Sequence, residues 1–175
     1  MLNKNQTKVA VLEKIKVLNF EGKALAETAG VMFLTLLVPI LLAHTAGNQW
    51  IVGPAVNAGL FWLAFRVGIG NAFLVAFLPS LIALSRGMLP PQTIALVPFI
   101  ILGNLALILT ANTLRKKVKT GILLASILKA SIIVLPAMLI LPKASLALVF
   151  AWPQLITALL GGVIFYIASK KITHL

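Results

Sequence analysis

One lysine near the middle of a long apolar segment is the residue in this sequence best suited to bind a ligand. The segment GILLASILKASIIVLPAMLIL, residues 121–141, is long enough to cross a membrane and contains Lys129. A charged side chain at that depth costs roughly 3 kcal/mol or more, and the nearer membrane surface is about 13 Å away along the helix axis. We expect Lys129 to bind an anionic or carbonyl-rich ligand. The alternative is a structural lysine that snorkels to the surface or is bonded by helix carbonyls.

Further polar residues are predicted at a similar depth in other apolar segments. They are Asn57, Asn104, Gln154 and Thr157. Gln154 and Thr157 are three residues apart and therefore share one face of a helix. Amides and hydroxyls at this depth either line a polar cavity or hydrogen-bond neighbouring helices to one another, and both roles stay open for these residues.

The composition defines the class of protein that carries these residues. Of the 175 residues, 61% are hydrophobic and 10% are charged, which is too apolar for a water-soluble domain of this size. The sequence therefore predicts an all-α integral membrane protein. The net charge of +12 favours basic loops at an anionic membrane surface over nucleic-acid binding. The chain has no cysteine, which excludes disulfides and thiolate metal sites.

Six apolar segments reach or approach the length of about 20 residues that crosses a membrane as a helix. They are residues 26–44, 50–65, 70–85, 94–114, 120–141 and 149–169. We expect a compact bundle of six transmembrane helices over residues 26–169. Residues 1–25 are predicted to be a cytoplasmic segment, in which apolar residues among lysines suit an amphipathic helix on the membrane surface. Residues 170–175 are predicted to be a cytoplasmic tail.

The basic residues are unevenly distributed between the connections of this predicted bundle. Of the 15 Lys and Arg residues, 12 lie in the N-terminal segment, the C-terminal tail and the connections on their side of the membrane. The opposite loops contain only Arg86 and Lys143. Because basic loops face the cytoplasm, both termini are expected inside the cell.

Six of the nine prolines fall in the outer halves of the predicted spans, and Pro90, Pro91 and Pro142 fall in outer loops. The six are Pro39, Pro54, Pro79, Pro98, Pro136 and Pro153. A proline removes a backbone donor and kinks or starts a helix, and in lipid the freed carbonyls need partners within protein or water. We therefore expect an irregular outer half that holds an outward-facing cavity. The alternative for Pro54 and Pro153 is that they begin helices, where proline is harmless.

Residues that would power transport or catalysis are missing from the predicted spans. The acids are Glu13, Glu21 and Glu27, which precede or begin the first span, so no buried carboxylate is available to carry protons or hold sodium. The sequence has no phosphate-binding glycine loop and no nucleophile–histidine–acid set. We expect no enzyme activity, no metal site and no resident cofactor.

This layout resembles the S components of energy-coupling factor (ECF) transporters, the membrane subunits that capture vitamins and related micronutrients. The segments FLPSLIALSRGMLPPQ and VPFIILGN are similar to small bacterial membrane proteins assigned to that group. The resemblance implies a bacterial or archaeal cytoplasmic membrane, and a partner module of one transmembrane coupling protein and two ATPases. In that family, small residues four apart on the first span pack on the coupling protein. The best match is Ala26 and Gly30, with Glu27 between them as a departure from the pattern.

The resemblance also implies where the substrate binds. The family's site is built mainly from the outer halves of the last three spans and is closed by the first outer loop. Together with the polar residues above, the candidate substrate-binding residues are Lys129, Asn104, Gln154, Trp152, Asn57, Trp50, Asn48, His44 and Arg86. With no acid near this site, an anionic or neutral small molecule is favoured over a cation. Two other classes stay open: a structural membrane anchor or assembly subunit of an enzyme complex, and a facilitator that conducts without ATP.

Overall fold

The computed structural model describes residues 22–43, 45, 47–87, 89, 91–141 and 144–172, and every element in them is helical. The predicted N-terminal segment and the end of the predicted tail lie largely outside the described residues. A π-helical turn, Leu63–Val67, continues the second helix, and a 3₁₀ turn, Pro91–Leu96, precedes the fifth. The α-helices are α1 Gly22–Leu42, α2 Gln49–Trp62, α3 Ile69–Ala76, α4 Leu78–Ser85, α5 Val97–Thr113, α6 Val118–Ile140 and α7 Ala144–Ile172.

Within this described part, five helical stretches are long and apolar enough to cross a membrane. They are Gly22–Leu42, Gln49–Val67, Thr93–Thr113, Val118–Ile140 and Trp152–Lys171. A shorter apolar stretch, Ile69–Ser85, contains α3 and α4. The prediction of an all-helical fold is confirmed for the described residues, and several of its helices are long and apolar enough for a multi-pass membrane protein. Five of the predicted spans coincide with these stretches to within a few residues. The second span is longer than predicted because the π-helical turn extends α2 to Val67.

Pro54 and Pro153 do not begin helices, although their sequence positions left that interpretation open. Pro54 and Pro153 lie inside α2 and α7, so the idea that they start these helices is wrong. Pro79 and Pro98 occupy the first turns of α4 and α5 instead. A proline there loses no helical hydrogen bond, and Pro79 follows the break at Phe77 that separates α4 from α3.

Glycines let α2 and α7 pack with their backbones almost in contact. A Cβ atom added at Gly161 of α7 would lie 2.6 Å from the Asn57 Cβ and 2.8 Å from the Pro54 carbonyl oxygen. One added at Gly53 of α2 would lie 2.7 Å from the Thr157 Cβ. Helices in lipid gain most of their association energy from such close packing, since lipid is as apolar as the side chains it replaces. The α2–α7 pair is therefore a fixed frame for the side chains it carries.

An aromatic core fills the bundle around the C-terminal end of α2. The rings of Phe61, Phe65 and Phe165 are stacked, with centroid separations of 5.1 to 6.4 Å. The Phe65 carbonyl oxygen accepts hydrogen bonds from Arg115 Nε at 3.2 Å and from Arg115 Nη2 at 2.9 Å. A π-helical turn leaves carbonyls poorly paired within the helix, and the arginine provides this one with donors. Polar residues of α2 and α7 lie further along the same two helices, away from this core.

Substituting Gly161 with alanine tests the close packing of α2 on α7. The added methyl group would overlap backbone atoms of α2, and overpacking of this kind costs about 1–3 kcal/mol. We expect Gly161→Ala to lower the thermal unfolding midpoint of the purified protein in detergent. Gly30→Ala is the matched control, since an added Cβ there meets nothing within 4 Å, and better helix propensity should leave its midpoint unchanged or raised. Equal midpoints for the two variants would contradict this packing.

Candidate functional site

A cavity of about 240 Å³ lies between α2, α4, α5, α6 and α7. It brings together five of the predicted binding residues, which come from four different helices and one connection. They are Asn48, Asn57, Asn104, Lys129 and Gln154. Val52, Val56 and Ile100 supply apolar wall between them. A mostly apolar wall with a few convergent polar groups is the usual composition of a small-molecule site.

Lys129 lies midway along α6 and faces the interior of the bundle. Its side chain is 3% exposed, and Ala125 and Ser126, on the same face of the helix, are fully buried. The Nζ atom donates a hydrogen bond to Asn57 Oδ1 at 2.6 Å. The structure thus shows neither a lysine that snorkels to a helix end nor an amine bonded to helix carbonyls.

The stem of Lys129 passes close to α5 because residue 103 is a glycine. A Cβ atom added at Gly103 would lie 3.2 Å from Lys129 Cγ and 3.3 Å from Ile133 Cδ1. Those distances are tighter than an ordinary contact between a Cβ and a packed neighbour. The glycine therefore makes room for the lysine stem, and it places Asn104, the next residue of α5, beside the same cavity.

Asn57 is held in one orientation by its own helix. Its Nδ2 donates to the Gly53 carbonyl oxygen at 2.9 Å, so its Oδ1 is the atom directed to Lys129. The side chain is 1% exposed. Asn57 also contacts α7, where Gly161 leaves space for its Cβ. Asn57 of α2 therefore contacts both α6 and α7 beside the cavity.

Asn104 and Ser80 each keep one oxygen without a hydrogen-bond partner in the described residues. Asn104 Nδ2 donates to the Ala76 carbonyl oxygen at 3.0 Å, at the end of α3. Asn104 Oδ1 and Ser80 Oγ are buried and have no partner there. Both residues line the cavity. Leaving a buried polar atom unpaired costs about 1–3 kcal/mol, so these two oxygens are available to a bound molecule.

Among the described residues, the cavity wall contains a lysine and no acidic side chain. Glu27, the acid within the described part of the chain, lies elsewhere, where its Oε2 accepts a hydrogen bond from Trp62 Nε1 at 2.7 Å. The Lys129 amine thus has an uncharged amide as its partner. A cation in this cavity would meet like charge without compensation, whereas an anion or a carbonyl oxygen would supply an acceptor.

Three of the predicted binding residues, Trp50, Trp152 and Arg86, are not in the cavity wall. Trp50 and Trp152 are 39% and 50% exposed, and their rings lie 5.5 Å apart, centroid to centroid, on the outside of the bundle. Arg86 is exposed after the last turn of α4. His44 lies outside the described residues. Trp50 lies in the first turn of α2, where interfacial anchors are common, whereas Trp152 lies inside α7 beside Pro153.

Sequence reasoning missed one polar residue of the cavity, Ser80. It follows Pro79 in the first turn of α4, and the break between α3 and α4 turns it inward. Gln49 and Thr157 also line the cavity. The signal for Ser80 was the proline before it, since a proline at a helix start marks a change of direction and a set of backbone donors at the new N-terminus.

The two residues predicted to bind a partner lie on the exposed face of α1. Gly30 lines a second, almost wholly apolar groove of about 680 Å³, formed by α1, α2 and α7. Glu27 lies at the same groove, with Trp62 as its hydrogen-bond partner. Ala26 is exposed on the same helix. The departure from the expected small-residue pattern, Glu27, is therefore accommodated by a bond to α2.

Removing the acceptor of Lys129 should cost more stability than removing the lysine. We expect Asn57→Ala to destabilise the protein by about 2 kcal/mol, because the amine is left buried without its partner. Lys129→Met removes the amine and should cost less. The double variant should cost less than the sum of the two, with a coupling of about 1 kcal/mol. The measurement is a double-mutant cycle of unfolding free energies in detergent, and strictly additive effects would contradict the bond.

Comparison with known proteins found no match to this chain. No protein-family model, curated protein sequence or solved structure matches this chain.

Proposed function

We propose that this chain is the substrate-binding membrane subunit of an ATP-driven, ECF-type importer for a small molecule that is anionic or neutral. The single observation that carries the proposal is a buried lysine facing a polar cavity in whose wall no described residue is acidic. Lys129 could be a purely structural residue only if the free-energy cost of burying its amine were offset within the protein. The hydrogen bond to one amide oxygen at 2.6 Å offsets part of that cost. A ligand acceptor would supply the remainder.

The position of the cavity supports capture from outside the cell. Its wall includes Asn48 and Gln49, next to the connection between α1 and α2, and Leu89, in the connection between α4 and α5. In the proposed topology the shorter stretch 69–85 is the third of six crossings, and these two connections are external. Four basic residues, Arg115, Lys116, Lys117 and Lys119, then lie at the opposite, cytoplasmic surface, as the distribution of basic residues in membrane proteins requires.

The aromatic core beneath the cavity supports dependence on a partner. Phe61, Phe65 and Phe165 fill the bundle between the cavity and the connection that carries Arg115. A substrate could not pass this core unless the helices moved apart. We propose that an associated coupling protein and two ATPases supply that movement, and that Gly30 and Ala26 on α1 contact the coupling protein.

A pull-down from native membranes tests the proposed assembly. The tagged chain would be purified in mild detergent and the co-purifying proteins identified by mass spectrometry. We expect two ATPases and one further multi-pass membrane protein in stoichiometric amounts. Recovery of an oxidoreductase or another enzyme complex would make the chain an anchor subunit. Recovery of the chain alone, with uptake that does not need ATP in reconstituted vesicles, would make it a facilitator.

A leucine on the exposed face of α1 tests the proposed contact with the coupling protein. Gly30→Leu would fill the groove between α1, α2 and α7 without a clash inside the chain, since nothing lies within 4 Å of an added Cβ. We expect recovery of the partner proteins in the same pull-down to fall at least tenfold while the chain stays folded. Gly22→Leu, the same change at another open position of α1, should leave recovery unchanged. Normal recovery with Gly30→Leu would exclude the groove from the interface.

A further inference from the structure

The hydrogen-bonding groups left free in the cavity define the chemistry of the molecule that fits it. We propose that the ligand is a small planar heterocycle with an amide-like edge, in which a ring N–H lies next to a carbonyl, and that it is not a simple carboxylate. This inference rests on the proposed function, because it takes the cavity to be a ligand site. It goes further by assigning a donor and an acceptor to the ligand.

Lys129 requires an acceptor from the ligand. A protonated lysine amine has three donors and no acceptor, and the structure gives one hydrogen bond from Nζ, to Asn57 Oδ1. With no carboxylate in the wall, the ligand is the natural source of a second acceptor. A carbonyl oxygen and a carboxylate oxygen meet this requirement equally well, so Lys129 alone does not distinguish them.

Asn104 requires a donor from the ligand, and this separates the two classes. Its Nδ2 is committed to the Ala76 carbonyl oxygen, so the amide cannot turn over without losing that bond. Its Oδ1 is left as a buried acceptor with no partner in the described part of the chain. A carboxylate has acceptors only and would leave this oxygen unpaired beside another oxygen. A ring N–H would pair with it.

The two requirements arise at neighbouring places on the cavity wall. The stem of Lys129 touches Gly103, with 3.2 Å between its Cγ and an added Cβ, and Asn104 is the next residue. Both residues also line the same cavity of about 240 Å³, so one small molecule has to offer an acceptor to the lysine and a donor to the asparagine, as the edge of a lactam does. The Ser80 hydroxyl, also buried without a partner in the described residues, can donate or accept at the same edge.

The size and walls of the cavity fit a flat ring. A cavity of roughly 150 Å³ in a protein core holds benzene, so about 240 Å³ is enough for a two-ring heterocycle. Val56 and Ile100 present apolar surface to the ring faces, and the polar groups lie at the edge. Sites that hydrogen-bond a polar ligand group discriminate strongly against analogues that lack it, so this arrangement would select by hydrogen-bond pattern.

Three bicyclic probes test the pattern directly on the full chain in lipid nanodiscs. They are 4-quinazolinone, which has the N–H and carbonyl edge, its N3-methyl derivative, which lacks the donor, and quinoline-4-carboxylate, which offers acceptors only. We expect calorimetry to show binding of 4-quinazolinone, with the other two at least about tenfold weaker, the loss of one buried hydrogen bond. This comparison uses the unaltered protein and does not depend on a variant folding.

Variants then assign the effect to named residues. Ser80→Ala and Asn104→Leu should each weaken 4-quinazolinone binding about tenfold, and Lys129→Ala should abolish it. Ser126→Ala is the matched control for Ser80→Ala. Ser126 has a buried, unpaired hydroxyl within the described residues but is not part of the cavity wall, so its substitution should leave binding unchanged.

The outcomes separate this inference from the proposed function. If quinoline-4-carboxylate binds more tightly than 4-quinazolinone, and its binding needs Lys129 but not Asn104, the ligand class is wrong and the proposed function stands. If the N3-methyl derivative binds as well as 4-quinazolinone, the donor to Asn104 is not used and the inference is overturned. If no probe binds at millimolar concentration, or Lys129→Ala has no effect on binding, both the inference and the ligand site are overturned.

Discussion

The hydrogen bond from Lys129 to Asn57 is the interaction on which the rest of the bundle depends. It joins α6 to α2 through two residues that are 72 positions apart in sequence. The bond lies at a depth where neither water nor lipid offers a hydrogen-bond partner. Asn57 can serve because Gly53 accepts its amide and Gly161 leaves room for its Cβ. Three features of the fold keep this amine at the polar cavity. They are the close packing of α2 and α7, the break between α3 and α4, and the glycine at residue 103.

The bundle is divided along its length into two parts of different chemistry. One part holds the stacked phenylalanines and the π-helical turn, together with buried polar side chains that are bonded within the protein, as Asn71 Nδ2 is to Thr28 Oγ1 at 2.9 Å. The other holds Asn57, Asn104 and Lys129, with most of the prolines that lie within helices or at their first turns. Packing can be dense in the first part because the aromatic rings fill it. In the second part, unpaired oxygens and irregular backbone leave open space, and the cavity lies there.

The fold was largely predictable from sequence because lipid imposes a simple rule. A chain must satisfy its backbone within each segment, so runs of about 20 apolar residues had to be helices. The π-helical turn was not predictable, since Leu63–Val67 has no residue that marks it and its stability depends on Arg115, which is distant in sequence. The separation of α3 from α4 at Phe77 was equally hidden, and with it the inward position of Ser80.

The depth of the candidate site along the helices was predictable from the sequence. Which residues line it was less predictable. Polar residues in apolar segments have few places to go, and Asn57, Asn104, Lys129 and Gln154 share one cavity. Trp152 does not, and helical phase explains why. It is two residues from Gln154, or about 200° around an α-helix, so the two side chains face opposite directions. Pairing across helices, such as Lys129 with Asn57, requires the three-dimensional packing that one sequence alone does not reveal.

The aromatic core closes the cavity on the side away from Asn48, as far as the described residues show. A molecule that enters beside Asn48 meets the ring of Phe61 one turn beyond Asn57, and the Arg115 bonds to Phe65 fasten the helix end behind it. Under the proposed function, a bound molecule would reach the other side of the membrane only when the helices that carry these rings move. The packing of the core would then limit transport as much as the chemistry of the cavity does.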